Sequence, residues 1–193
     1  MNAPSLPPKA LARRRFAGLL ALGALPGLPL LGGCAGPQLA DYAAQQPVFD
    51  LRRYFDGRLL AHGLVLDRGG KLLRRLVVTL DCSWDAQGRG LLDEQFVYDD
   101  GERQQRRWRL WHLPDGGYAG SADDVVGEAR GASAGPAFNW RYTLRVPVRG
   151  DVYELDFDDW MFQVDERTVL NRAVMSKLGL RVGEVLLSFS KSA

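Results

Sequence analysis

The chain has 193 residues, with 25 Lys and Arg against 23 Asp and Glu, and 46% of its residues are hydrophobic. This length fits one folded domain preceded by a processed segment. The near balance of charge excludes the strongly basic surface of nucleic-acid-binding proteins, so no nucleic-acid partner is expected.

The first 33 residues have the parts of a secretory signal. Lys9 and three consecutive arginines from Arg13 supply positive charge, and an uncharged stretch rich in Leu, Ala and Gly follows from Phe16 to Leu31. This stretch is shorter than the roughly 20 apolar residues of a membrane-spanning helix, and two prolines interrupt it. Residues 1–33 are therefore predicted to be removed on export, by the general secretory or the twin-arginine route. Their loss takes away four basic and no acidic residues, which leaves 21 against 23.

The signal ends in Leu31-Gly32-Gly33-Cys34, which resembles the lipobox of bacterial lipoprotein precursors. In such precursors the cysteine thiol is diacylated, the chain is cut before it, and the new amino group is acylated. The sequence therefore predicts lipidation of Cys34 and a membrane anchor formed by its acyl chains. An ordinary signal peptide with a chance cysteine is the alternative. Because Ala35 stands where an Asp would resemble an inner-membrane retention signal, we expect an outer-membrane lipoprotein of the cell envelope that faces the periplasm.

Residues 34–48 are predicted to form a lipidated tether, and residues 49–193 the folded domain. Pro37 and Pro47 discourage regular structure in the tether. Val48 to Phe55 could form a short turn of helix that plugs one end of the fold.

Beyond residue 55, apolar and polar residues alternate between turns that contain Asp and Gly, such as Asp85-Ala86-Gln87-Gly88. One such alternation runs from Phe138 to Val146. The pattern predicts about eight to ten antiparallel strands and no long helix. A sheet of so many strands with one apolar face must close on itself or fold over. We expect an all-β fold, a single antiparallel up-and-down β-barrel of lipocalin-like or fatty-acid-binding-protein-like kind, with a β-sandwich as the alternative.

The segment from Val152 to Lys177 predicts a hairpin that carries a candidate site. If its turn is centred between Asp165 and Glu166, Asp159 faces Arg172 across the two strands, among apolar neighbours on the interior face. A buried ion pair is costly to desolvate, so this pair is a candidate for binding the polar group of a ligand. A purely structural pair, or a β-bulge that turns Asp159 outwards, is the alternative.

Four further residues are candidate ligand contacts. Trp140, Tyr142 and Trp160 are aromatic residues of the strand-like segments, although core packing explains most residues of this kind. The pair Asp123-Asp124 precedes a strand-like run and could line the mouth of the barrel, and Asp123 is taken as the candidate contact. Most other carboxylates sit at turn signals, where a solvated turn residue is the simpler interpretation.

Metal and nucleophilic chemistry have little support in the sequence. His62 and His112 have no partner at metal-ligand spacing, so no metal site is expected. Cys82 alternates with Leu80 and Trp84, as a small core residue would. No Gly-rich phosphate loop precedes a helix, and no cofactor is expected.

Several segments together resemble an uncharacterised family of bacterial lipoproteins, catalogued as a domain of unknown function. Two signatures carry the resemblance, Phe157-Asp158-Asp159-Trp160-Met161 and Asn171-Arg172-Ala173-Val174-Met175-Ser176-Lys177. Asp93 to Glu102, Ala122 to Ala129 and Asn139 to Tyr142 complete it, so it covers nearly all of the chain after the signal. The resemblance implies a lipocalin-like lipoprotein without an assigned activity.

The sequence favours a binding module over an enzyme. The barrel would hold a fatty acid, another lipid or another hydrophobic ligand, with Asp159 and Arg172 near its polar end. One alternative is a lipid-directed enzyme that uses Asp159 or Asp123 as general acid or base. The other is a non-catalytic structural protein of the envelope with a filled interior.

Overall fold

The structure is a computed structural model that describes residues 36–191. The predicted signal segment 1–33 and the predicted lipidation site, Cys34, lie outside the described residues. Within residues 36–191, no helix is both long enough and apolar enough to cross a membrane.

Ten antiparallel strands close into a single barrel. Each strand pairs with its neighbours in sequence, and the first strand pairs with the last. The expected up-and-down barrel is therefore confirmed, and the β-sandwich is excluded. The strands are β1 Gly57–Asp67, β2 Leu72–Trp84, β3 Gly90–Tyr98, β4 Arg103–His112, β5 Tyr118–Ser121, β6 Val125–Ala134, β7 Ala137–Val148, β8 Asp151–Gln163, β9 Thr168–Lys177 and β10 Leu180–Lys191.

Strict alternation of side chains explains why these segments form the wall of a barrel. In β7, Trp140, Tyr142 and Leu144 point inwards, whereas Arg141 and Thr143 point outwards to Asp158 and Asp156. A strand of this pattern buries one face and solvates the other, so ten of them enclose an apolar interior.

Asp side chains shape several of the connecting turns. Asp85 Oδ1 accepts hydrogen bonds from the backbone N–H groups of Gln87 and Arg89, each at 2.9 Å. Gly88 in the same turn has a φ of 76°, a left-handed conformation that glycine adopts without steric cost. Asp67 Oδ1 accepts hydrogen bonds from the N–H groups of Gly69 and Lys71 in the same way. The Asp and Gly residues that predicted turns therefore stabilise them locally.

A short helix α1, Leu51–Tyr54, plugs the end of the barrel at which β1 begins. Asp50 caps it by accepting a hydrogen bond from the N–H of Arg53 at 3.0 Å. The Tyr54 hydroxyl donates to the carbonyls of Arg167 and Phe189 at 3.0 and 3.1 Å, which ties the helix to the barrel rim. The plugging turn of helix predicted over residues 48–55 is present.

The opposite end is the mouth of the barrel. It is formed by the hairpins β1–β2, β3–β4, β7–β8 and β9–β10 and by the segment that joins β5 to β6. Three of these hairpins present exposed apolar side chains, and Leu178 and Leu180 are 91% and 74% exposed. Part of the margin of the mouth is therefore apolar.

Residues 36–48, predicted to be part of a tether, include a 3₁₀ turn at Leu39–Tyr42. The ring of Tyr42 packs on the outer surface of β8, with its centroid 5.8 Å from that of Trp160 and 5.3 Å from that of Phe162. The segment is thus seated against the barrel near its plugged end.

Candidate ligand-binding site

The barrel encloses a cavity of about 800 Å³ that extends from the plug to the mouth. Leu51 and Phe55 line it at the plugged end, and Arg149 and Val182 line it at the mouth. The wall formed by β1, β2 and β10 is apolar over most of its height, with Val65, Leu76, Val78, Val185, Leu187 and Phe189 facing the cavity.

Six polar side chains on the opposite wall form what we call the interior polar cluster. All six line the cavity, and each comes from a different element between β3 and β9. They are Glu94 of β3, Arg106 of β4, Asp124 of the β5–β6 segment, Tyr142 of β7, Asp159 of β8 and Asn171 of β9.

Arg106 and Asp124 form the first half of this cluster. Arg106 Nε lies 2.9 Å from Asp124 Oδ2, and Arg106 Nη2 lies 2.8 Å from the same oxygen. The remaining guanidinium nitrogen, Nη1, lies 3.8 Å from Glu94 Oε2. One guanidinium therefore faces two carboxylates, and Asp124 holds it in a two-pronged contact.

Asp159 is the centre of the second half. Tyr142 Oη donates to Asp159 Oδ2 at 2.9 Å, and Asn171 Nδ2 donates to Asp159 Oδ1 and to the carbonyl of Trp160. Among residues 36–191, the buried oxygen Oδ1 of Asn171 has no hydrogen-bond partner. Unpaired buried acceptors of this kind are rare in folded proteins.

Burial changes the acidity of the cluster. It raises the pKa of Glu94 to about 7, with Arg106 acting in the opposite direction. It also raises the pKa of Asp159 to about 7, against the hydrogen bonds from Tyr142 and Asn171. Burial lowers the pKa of Arg106, but Asp124 and Glu94 outweigh it and keep that pKa above its usual value. Two carboxyl groups are thus poised to change charge near neutral pH.

Three of the predicted site residues lie on the cavity wall. Asp159, Trp140 and Tyr142 all face the interior, and Trp140 packs with Trp108 at a centroid distance of 5.8 Å. No β-bulge turns Asp159 outwards, because β8 pairs in continuous register with β7 and β9. Their role as ligand contacts remains a prediction.

The predicted pairing of Asp159 with Arg172 is wrong. Asp159 lies opposite Ala173, and Arg172 lies opposite Trp160 on the outer face. There Arg172 Nε contacts Glu184 Oε2 at 2.8 Å. The turn is one residue longer than assumed, because Asp165 Oδ1 accepts from the N–H groups of Arg167 and Thr168. A shift of one residue moves a whole strand to the other face relative to its partner.

Trp160 and Asp123 are also absent from the cavity wall. Trp160 is buried on the outer face of β8, beneath Tyr42. The side chain of Asp123 is 93% exposed and lies 3.6 Å from Arg109 outside the barrel. Its neighbour Asp124 faces inwards instead, so the acid–base role suggested for Asp123 has no access to the cavity.

Three members of the interior polar cluster were not anticipated from the sequence: Glu94, Arg106 and Asn171. A signal for two of them existed. Glu94 has the same parity as Leu92 and Phe96, and Arg106 has the same parity as Trp108. A charged residue within an inward-facing alternation indicates a buried polar site as directly as a motif does.

In the described part of the chain, no arrangement of side chains supports metal binding or a nucleophilic thiol. Among residues 36–191, no group of three or more His, Cys, Asp or Glu side chains is arranged to hold a metal ion. Cys82 is buried on the inner face of β2, and burial raises the pKa of its thiol to about 12. A thiol with this pKa is a core side chain rather than a nucleophile.

The barrel is similar to that of an S-type phycobiliprotein lyase from Guillardia theta. The two share a TM-score of 0.54 and 9% sequence identity, and the similarity covers 72% of this chain and 88% of that one. At this identity the likeness is one of fold. No curated protein matches the chain. A family model described as a protein of unknown function (DUF3833) matches residues 28–191.

Proposed function

This chain belongs to the DUF3833 family of proteins of unknown function. We propose that its barrel binds an elongated, largely apolar ligand that carries one polar group. One observation carries the proposal, namely the cavity of about 800 Å³ with an apolar wall on one side and the interior polar cluster on the other. This volume lies within the roughly 300–1,000 Å³ of small-molecule sites, which combine apolar walls with a few placed polar groups.

The apolar wall supplies the affinity. Each methylene group transferred from water into such a surface contributes about 0.8 kcal/mol, so ten contribute about 8 kcal/mol before the cost of immobilising the ligand. The exposed apolar side chains at the mouth, including Leu178 and Leu180, give an alkyl chain apolar contacts as it enters between the charged side chains of the rim. A lipid is therefore the class of ligand that the cavity suits.

The comparison with a phycobiliprotein lyase supports ligand binding within a barrel of this shape. At 9% identity it does not select the ligand. For this chain the chemistry of the ligand comes from the side chains that line its own cavity.

Quenching of tryptophan fluorescence tests ligand binding. Trp108 and Trp140 line the cavity, so an alkyl probe that carries a terminal bromine quenches them when it is bound. The full-length protein in detergent is titrated with ω-bromododecanol, and the double variant Ala173→Phe, Val185→Phe fills the cavity from facing strands. We expect the filled variant to bind at least about tenfold more weakly, because phenyl rings displace the chain.

The matched control is the double variant Val174→Phe, Leu186→Phe, which adds the same rings on the outer face of the same strands. Circular dichroism and thermal unfolding establish that both variants fold. Equal quenching of the control and the filled variant would contradict the proposal, because binding would then not depend on the cavity.

The proposal includes a lipid anchor at Cys34, supported by the sequence of residues 31–34. Mass spectrometry of the protein from a Gram-negative host is expected to give a triacylated chain that begins at Cys34. Cys34→Ser abolishes the added mass, whereas Cys82→Ser keeps it. An unacylated amino terminus in the wild-type protein would contradict this part of the proposal.

Location in the outer membrane, facing the periplasm, is the last element of the proposal. It rests on Ala35 after the cysteine. In density-gradient fractionation, the wild-type protein is expected with the outer membrane and the variant Ala35→Asp with the inner membrane. Wild-type protein in the inner-membrane fraction would contradict the location.

A further inference from the structure

We propose that the interior polar cluster binds the protonated amine of a cationic amphipath and rejects a carboxylate. This inference rests on the proposed function and narrows it, because it chooses among lipids. A fatty acid, the ligand first suggested by the sequence, is the class that the cluster disfavours.

Most hydrogen-bond donors of the cluster are already engaged. Arg106 uses Nε and Nη2 on Asp124 and directs Nη1 towards Glu94. The Tyr142 hydroxyl donates to Asp159. A ligand carboxylate inside the cavity would therefore compete with Asp124 and Glu94 for the one guanidinium of the cluster.

The acceptors of the cluster are not fully engaged. Glu94 faces the Arg106 guanidinium at 3.8 Å and the side chain of Trp108, and Asp159 receives hydrogen bonds from neutral donors alone. An ammonium group has three donors and no acceptor, so it suits a site whose acceptors are the carboxylates of Glu94 and Asp159.

The charge balance of the cluster points the same way. One guanidinium stands against three carboxyl groups, Glu94, Asp124 and Asp159, and β10 adds no charged side chain to this part of the cavity wall. Burial raises the pKa of Glu94 and of Asp159 to about 7, because the cluster has no second cation to offset the effect of burial. A bound ammonium would supply that charge and favour the ionised form of both groups.

Four cations line the cavity outside the interior polar cluster, namely Arg74, Arg145, Arg149 and Lys177, so they offer a carboxylate a position peripheral to the cluster. Arg74 is held by Asp100 at 2.8 Å and by Glu102 at 2.9 Å, and Lys177 lies 4.0 Å above the ring of Tyr153. A fatty acid held there would place its tail against the interior polar cluster and leave those groups desolvated without a partner.

Three probes of equal chain length test the inference in the quenching assay: ω-bromododecylamine, ω-bromododecanol and ω-bromododecanoic acid. At pH 8 we expect the amine to bind the full-length protein at least about tenfold more tightly than the acid, with the alcohol between them. Carboxylate binding equal to or tighter than amine binding would overturn the inference and leave the proposed function intact. If none of the probes quenches in a manner that depends on the open cavity, the proposed function falls as well.

Neighbouring carboxylates on opposite faces of one strand provide matched controls. Asp159→Asn and Glu94→Gln remove charge inside the barrel, and Asp158→Asn and Asp93→Asn remove it outside. We expect each inner variant to bind the amine about tenfold more weakly while binding of the alcohol changes less than about twofold. The outer variants are expected to bind both probes as the wild-type protein does. An equal loss of amine affinity in inner and outer variants would show that surface charge, not the cluster, attracts the amine.

Discussion

Tyr142 and Asp159 face each other inside the barrel, where the phenol donates a hydrogen bond of 2.9 Å to the carboxylate. Burial raises the pKa of both groups, and the hydrogen bond from Tyr142 is the largest influence that opposes the rise at Asp159. The phenol therefore stays a donor at neutral pH and holds Asp159 closer to ionisation than burial alone would.

Replacing Tyr142 with Phe removes this donor and keeps the ring, which stacks on Phe157 at a centroid distance of 5.0 Å. We expect the pKa of Asp159 to rise further above about 7 and the free energy of unfolding to fall by about 1–2 kcal/mol. Carboxyl ¹³C NMR titration, assigned through Asp159→Asn, measures the pKa. Tyr153→Phe at the mouth is the control, and an unchanged Asp159 pKa in Tyr142→Phe would contradict the proposed coupling.

The unliganded protein should lose stability as pH rises from about 4 to about 7. Asp159 and Glu94 bind protons more tightly in the folded state, with pKa values of about 7, than in the unfolded chain, where they are near 4. Protons therefore favour folding between these two pKa values. In this window the free energy of unfolding falls with rising pH by up to about 1.4 kcal/mol per pH unit for each group, and the loss is complete above pH 7.

Urea unfolding at pH 5 and pH 8 measures this effect. Asp159→Asn and Glu94→Gln should each reduce the difference in unfolding free energy between the two pH values. The outward Asp93→Asn should leave it unchanged. If the wild-type protein were as stable at pH 8 as at pH 5, the raised pKa values would be wrong.

Replacing Arg106 with Met strands the carboxylates of Asp124 and Glu94 inside the barrel. We expect a loss of about 3–5 kcal/mol in the free energy of unfolding, the usual effect of removing one partner from a buried ion pair. Arg107→Met removes the adjacent, solvent-exposed guanidinium, which contacts Asp93, and should cost less than about 1 kcal/mol. Similar losses in both variants would show that Arg106 is not a buried partner.

Replacing Trp160 with Ala should destabilise the fold without affecting ligand binding. Trp160 is buried under Tyr42 outside the barrel, so we expect a loss of about 3–5 kcal/mol, typical of large buried side chains. Binding of ω-bromododecylamine should stay within about twofold of wild type where the variant is folded, whereas the cavity-lining Met161→Ala should weaken it. Weakened binding in Trp160→Ala would place this side chain at the site after all.

The barrel could be predicted from the sequence because its evidence is local. Alternation from Phe138 to Val146 and the Asp-Gly turn at Asp85 to Gly88 each report a single strand or turn. Ten such elements with one apolar face leave few architectures other than a closed barrel.

The site was only partly predictable because it depends on register across a turn. Local pattern placed Asp159 inside, but the side chain of Asp165 lengthens the turn by one residue and sends Arg172 to the outer face. The cation that serves the cluster is Arg106, far away in sequence and brought near only by barrel closure. Local sequence patterns do not indicate which distant strands contact each other across the interior of the barrel.

Anomalous diffraction from crystals of the full-length protein with ω-bromododecylamine tests the central claim most directly. The account predicts a bromine peak within the cavity and the amine nitrogen about 3 Å from the carboxylates of Glu94 and Asp159. A bromine peak outside the barrel, or an amine nitrogen at the mouth beside Lys177, would contradict it.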